Sequence, residues 1–90
     1  MIEFKHISNI PADFTGICKV YSNNSAFRNN TTSIRHYKNG KLHNENGPAI
    51  RWIDDKIDWY YEGVLYGYDI FYTNEAWLER VRELKLQIFK

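Results

Sequence analysis

The chain of 90 residues predicts an α+β fold: an antiparallel sheet of repeated β-hairpins, running as a meander, with one C-terminal amphipathic helix packed on it. Three observations carry this expectation. A hairpin motif occurs twice, a Gly-led strand motif occurs three times, and the last part of the chain turns to helical spacing without Gly or Pro.

Taken in order, Ile2–Ile7 alternates well enough to be a strand, and residues 8–15 fit either a loop or one helical turn. The Gly-led element then appears as Gly16-Ile17-Cys18-Lys19-Val20-Tyr21, Gly47-Pro48-Ala49-Ile50-Arg51-Trp52 and Gly67-Tyr68-Asp69-Ile70-Phe71-Tyr72, each ending on an aromatic residue. Between these lie the two hairpins, which align Tyr37 with Tyr60, Gly40 with Gly63 and Leu42 with Leu65; Phe27 to Ser33 form an insertion in the first copy. Internal similarity of this kind is the mark of stacked supersecondary units.

Asn39-Gly40 is the preferred pair for a two-residue type I′ turn, because both residues tolerate positive φ. That turn sets Lys38 opposite Lys41, Tyr37 opposite Leu42 and His36 opposite His43. The same register in the second copy sets Tyr61 opposite Val64, Tyr60 opposite Leu65 and Trp59 opposite Tyr66. The Tyr–Leu pairs then share one face, and the His–His and Trp–Tyr pairs the other. Glu62-Gly63 is a poorer I′ pair, so a type I turn with a Gly bulge is the expected alternative. Asp54-Asp55-Lys56 reads as the turn joining Ala49–Ile53 to Ile57–Tyr61. From Asn74 to Phe89, Trp77, Val81, Leu84 and Ile88 recur at helical spacing. Thr73 or Asn74 serves as N-cap, with Glu75 against the positive end of the helix dipole.

A chain of this length is a single domain, 1–90, and hides only about 60–65% of its unfolded surface. Seven Tyr, five Phe and three Trp compensate for a thin core, since each ring buries on the order of 150–250 Å². Twelve basic and eleven acidic residues leave a net charge of +1. That balance offers no electrostatic footprint for nucleic acid or an anionic membrane. The single cysteine, Cys18, fits a reducing compartment. No apolar run approaches the roughly 20 residues of a membrane span, and the N-terminus lacks a signal-peptide apolar region. A cytoplasmic location is expected, in whatever cell makes the chain.

The segment Tyr37-Lys38-Asn39-Gly40-Lys41-Leu42-His43-Asn44-Glu45-Asn46-Gly47-Pro48-Ala49 resembles the repeat of MORN-like proteins found in large viruses, tailed phages and some toxin–antitoxin loci. The likeness covers roughly residues 16–82, and Leu65 to Val81 is similar to the way such arrays end, in a Thr-x-Glu-x-Trp-Leu helix start. Asn44 stands where the pattern has Arg, Glu62 replaces Asn and Tyr66 replaces His. The resemblance implies a hairpin array and a phage or viral origin. It implies no catalytic residue.

His36 and His43, opposite each other on a hairpin with Glu45 nearby, have the chemistry to share a metal ion. Their replacement by Trp59 and Tyr66 in the second copy argues for ring packing instead, so no metal is expected. Cys18 takes the place of Ala49 in the Gly-led strand, where a small buried residue is wanted, and no oxyanion loop accompanies it. Asp54, Asp55 and Asp58 do not follow the calcium-loop pattern. No cofactor and no catalytic residue are expected.

What remains is binding. Interfaces enrich Tyr, Trp and Arg, and the chain offers these on a rigid scaffold. The expected function is a small non-enzymatic protein-binding module, with Trp59, Tyr66, Tyr68, Arg51, His36 and His43 on the partner surface. By analogy with phage accessory proteins, the partner is a host or cognate protein, such as a defence or toxin protein that the chain blocks or redirects. Two alternatives stay open: a single-stranded nucleic-acid binder using sheet aromatics with Lys38, Lys41, Arg35 and Arg51, and a structural homo-oligomer joined through Tyr-rich faces or edge strands.

Overall fold

The structure, a computed structural model, describes residues 1–21 and 32–87. Seven strands form one open sheet: β1 (Ile2–Phe4), β2 (Gly16–Val20), β3 (Ser33–Lys38), β4 (Lys41–Leu42), β5 (Ile50–Trp52), β6 (Ile57–Tyr61) and β7 (Val64–Tyr68). One helix, α1 (Asn74–Gln87), follows. The sheet order is β1-β2-β3-β5-β6-β7, with β4 also paired to β3. The α+β class and the C-terminal helix are as expected.

Two features depart from a simple antiparallel meander. First, β1 is parallel to β2, with Ile2 beside Cys18 and Phe4 beside Val20. Residues 5–15 carry the chain back to the starting end of β1, as a parallel pairing requires. The strand is shorter than Ile2–Ile7, because Ile7–Asn9 forms a 3-10 turn capped by His6, whose ring accepts the Ser8 N–H. Second, β4 is only two residues long. His43 N–H still donates to the His36 carbonyl at 3.0 Å, as the expected His36–His43 pairing requires. His36 N–H turns instead to the Ala49 carbonyl, and β5 takes the place of β4 beside Ile34 and Arg35.

Both hairpin tips are two-residue turns at positive φ. Asn39 and Gly40 stand at 51° and 80°, and Glu62 and Gly63 at 50° and 83°. The two-residue turn thus holds at Glu62-Gly63 as at Asn39-Gly40, and the bulged type I alternative is absent; Glu62 accepts the left-handed conformation while its carboxylate reaches Lys38 Nζ at 3.1 Å. The pairs Tyr37–Leu42, Lys38–Lys41, Tyr60–Leu65 and Tyr61–Val64 stand as the turns require. The expected Trp59–Tyr66 pair does not form: a bulge between Trp59 and Tyr60 moves Gly67 opposite Trp59. The third Gly-led segment is no strand beyond Tyr68, because Asp69–Phe71 coils into a 3-10 turn. There Asp69 takes a φ of 56° and its carboxylate accepts the Ile57 N–H.

The helix lies on the face of β6. Trp77, Val81 and Leu84 pack with Trp59 and Tyr61, and the Trp59 and Trp77 rings sit 5.5 Å apart. Thr73 is the N-cap, its hydroxyl accepting the Ala76 N–H at 3.1 Å. Trp77 Nε1 donates to the Asn44 carbonyl at 2.7 Å, which ties the helix to the loop after the first hairpin. Cys18 and Ala49 are both buried, as their matching places predict, and burial pushes the Cys18 thiol up against the opposing pull of Arg35. Ile88 and most of the insertion Phe27 to Ser33 lie outside the described residues.

Candidate functional site

Both hairpin tips are seated by a repeated set of hydrogen bonds. At the first joint, Gly40 N–H donates to the Phe14 carbonyl at 2.9 Å and Asn39 N–H to Thr15 Oγ1 at 2.8 Å. At the second, Gly63 N–H donates to the Leu42 carbonyl at 2.8 Å and Glu62 N–H to His43 Nδ1 at 2.9 Å. Each tip thus rests on the last residues of the segment before it: a carbonyl takes the glycine N–H, and the next side chain takes the N–H of the first turn residue.

This arrangement fixes the role of His43. Because Nδ1 accepts from Glu62 N–H, the ring proton sits on Nε2 and is donated to Glu45 at 3.2 Å. The Glu62 carboxylate lies 3.5 Å from the same Nδ1, but an accepting nitrogen makes no ion pair, and the backbone bond is the better aligned contact. Glu45 continues to Lys85 on α1 at 2.6 Å, which holds its carboxyl below the usual carboxylate range. His43 is buried, its ring 4.8 Å from Tyr61.

The residues expected on a partner surface therefore divide. Trp59 is in the core at 1% exposure, since the helix descends on it and its Nε1 donates to the Asp69 carbonyl at 3.0 Å. His43 is a joint between hairpins and is likewise no surface residue. Tyr66 is half-buried against Trp77, with Arg80 over its ring at 5.3 Å. His36 is half-buried, and burial and then Arg51 lower its pKa. Arg51 is exposed on the same face as His36. Tyr68, on the far edge strand, is 65% exposed. Among the described residues, no three His, Cys, Asp or Glu side chains gather to hold a metal ion.

Tyr68 has company that sequence reasoning missed. Leu65 and Phe71, 45% and 68% exposed, line one depression with it, and Val64, 52% exposed, starts the same strand with its side chain on the other face. Leu65, Tyr66, Gly67, Tyr68 and Phe71 line an open depression of about 360 Å³. Gly67 makes this possible, because a Cβ there would stand 2.8 Å from the Phe71 ring. The backbone is available as well. Tyr61 and Val64 close a two-residue turn and so exchange hydrogen bonds, which leaves the N–H and C=O of Leu65 directed away from β6. The matching carbonyl of Leu42 accepts Gly63; among the described residues, nothing is docked on Leu65. An exposed apolar edge of this kind is a template for strand addition.

No protein-family model matches the chain, and no curated protein and no solved structure is similar enough to match it. No helix of the described residues is long and apolar enough to cross a membrane.

Proposed function

We propose that the chain is a small non-enzymatic module that binds a host or cognate protein along the edge of β7. The observation that supports this most is the meeting of three exposed apolar side chains, Leu65, Tyr68 and Phe71, around one depression with the outward-directed backbone groups of Leu65 on an edge strand. Backbone groups supply affinity for an extended partner segment, and side-chain contacts supply selectivity. Tyr68 and Phe71 are suited to act as anchors, since aromatic residues dominate interface energetics. The Xaa-Gly tips and their joints support reading the chain as a MORN-like hairpin array.

The test is affinity purification from the cells that make the protein, with Tyr68→Ser and Phe71→Ser as the comparison. Truncating an anchor costs at least about 2 kcal/mol of binding, which is roughly thirtyfold in affinity. A protein captured by the parent should therefore be missing from the variant, with circular dichroism unchanged and capture only weakly sensitive to salt. A partner retained by the variant refutes the assignment. Capture of nucleic acid that disappears steeply with salt favours the nucleic-acid alternative.

A further inference from the structure

A separate surface lies on the other part of the face that carries α1. The helix covers Trp59 and Tyr61 on β6, but the same face continues across β5, β3 and β2. Residues directly opposite one another share a face, so Lys19, Ile34, Arg51 and Ile57 form one row across four strands. Ile57 packs against the helix core. Ile34 is half-exposed between Lys19 and Arg51, and Ile17, 46% exposed, stands in the next row beside His36. The two cations are held on strands either side of β3, about 10 Å apart at the backbone.

Lys38, Lys56, Lys85 and Arg82 each meet a carboxylate within ion-pair distance. Among the described residues, Lys19 and Arg51 do not, and neither do Lys5, Arg35, Lys41 and Arg80; Lys19 and Arg51 are the two that flank Ile34 across the sheet. Lys19 rests over the Tyr21 ring at 4.9 Å, and the charge of Arg51 contributes to the depressed pKa of His36. The acidic groups nearby are Glu3, in register with Lys19, and Asp55 at the rim. Lys19 and Arg51 line a depression of about 230 Å³ together with Thr32, Ile34, Trp52 and Ile53.

We infer that this strip is a second docking surface, for an acidic protein segment that sets an apolar side chain on Ile34 and carboxylates against Lys19 and Arg51. The charge complementarity selects an anion. Ile34, with Ile17 and Ile53 exposed near it, favours an aliphatic side chain over a run of stacked bases, which needs several aromatic faces. Tyr21 lies under Lys19 and Trp52 also lines the depression, while Tyr37 and Tyr60 point to the opposite side of the sheet. This surface is independent of the β7 edge, and its failure would leave that reading standing.

The probe is a fluorescein-labelled peptide, Gly-Glu-Leu-Asp-Ile-Glu-Gly, titrated with the full chain at about 50 mM salt, where screening is modest. Its Gln/Asn counterpart and a mixed-sequence single-stranded RNA serve as comparisons. Lys19→Glu and Arg51→Glu should each weaken peptide binding at least about tenfold, a loss of roughly 1.4 kcal/mol. Arg82→Glu, the same charge change on the exposed face of α1, should alter it less than about twofold. On the unaltered protein, the peptide should shift the amides of residues 17–21 and 34–36, a readout that does not depend on any variant folding. Absence of binding up to about 1 mM peptide, an equal loss in Arg82→Glu, equal binding of the Gln/Asn peptide, or tighter binding of the RNA would each overturn the inference.

Discussion

Replacing Gly40 by Ala asks the first hairpin tip to hold a methyl group where the chain has already placed backbone. Gly40 has a φ of 80°, and its added Cβ would land on the Ala12 carbonyl oxygen, with the Ala12 carbonyl carbon 2.9 Å away. Gly63 has the same conformation at 83°, yet its Cβ would meet only the Lys41 side chain, at 3.5 Å, an ordinary contact. The pair therefore separates two costs. Left-handed backbone in a residue with a Cβ costs about 1–2 kcal/mol, and both variants incur it. Gly40→Ala must in addition push the segment before β2 away, which breaks the bonds from Gly40 to Phe14 and from Asn39 to Thr15. Each is worth about 0.5–1.5 kcal/mol. The expected loss is about 1–2 kcal/mol for Gly63→Ala and roughly 2–5 kcal/mol for Gly40→Ala. In a domain of this size each kcal/mol lowers Tm by about 4–8 °C. Thermal melts followed by circular dichroism, side by side, measure the difference. Equal losses in the two variants would mean that the first tip does not seat on the Ala12–Thr15 segment, and the account of the joints would fail.

Two other outcomes follow from the second joint. His43→Phe keeps a ring against Tyr61 but leaves the Glu62 N–H without its acceptor, so denaturant unfolding should show a loss of about 1–3 kcal/mol; a ring needed only for packing would show none. Glu45 is held below its ordinary pKa chiefly by its bond to Lys85, with His43 adding to it and burial opposing. A depressed carboxylate contributes stability that is fully present above the unfolded value near pH 4.3 and is lost as pH falls through the folded value. Stability should therefore fall across that acid window, and Lys85→Met should make the fall shallower in melts taken from pH 6 to about pH 2.5. An unchanged profile in the variant would show that the bridge to Lys85 contributes nothing there.

Much of the fold is legible because two-residue turns leave a strand register little freedom. Once Asn39-Gly40 is a tip, Lys38–Lys41 and Tyr37–Leu42 follow, and both pairs are observed. The helix is equally readable from Trp77, Val81 and Leu84 at helical spacing. The parallel pairing of β1 was not legible, because three residues carry no pattern that fixes direction. Nor were the joints: Thr15 and His43 do the same work with different acceptor atoms, and their partners lie 24 and 19 residues away. Aligning the repeats made Trp59 equivalent to half-buried His36, but only β6 receives the helix, and the equivalence of environment fails there. For the candidate site, Tyr68 was readable as an exposed strand residue. Phe71 was hidden, because alternation along the third Gly-led segment breaks where Asp69 turns the chain.

The central claim is that the hairpin tips are seated inside the array while the matching position on β7 is open. Amide hydrogen exchange read residue by residue tests it in a single experiment. Amides at hairpin tips ordinarily exchange fast, but Gly40, Glu62 and Gly63 should be protected nearly as well as the neighbouring strands, through Phe14, His43 and Leu42. Leu65, whose N–H points away from β6, should exchange quickly. Rapid exchange at Gly40 and Gly63, or protection of Leu65 equal to theirs in the isolated protein, would contradict the account.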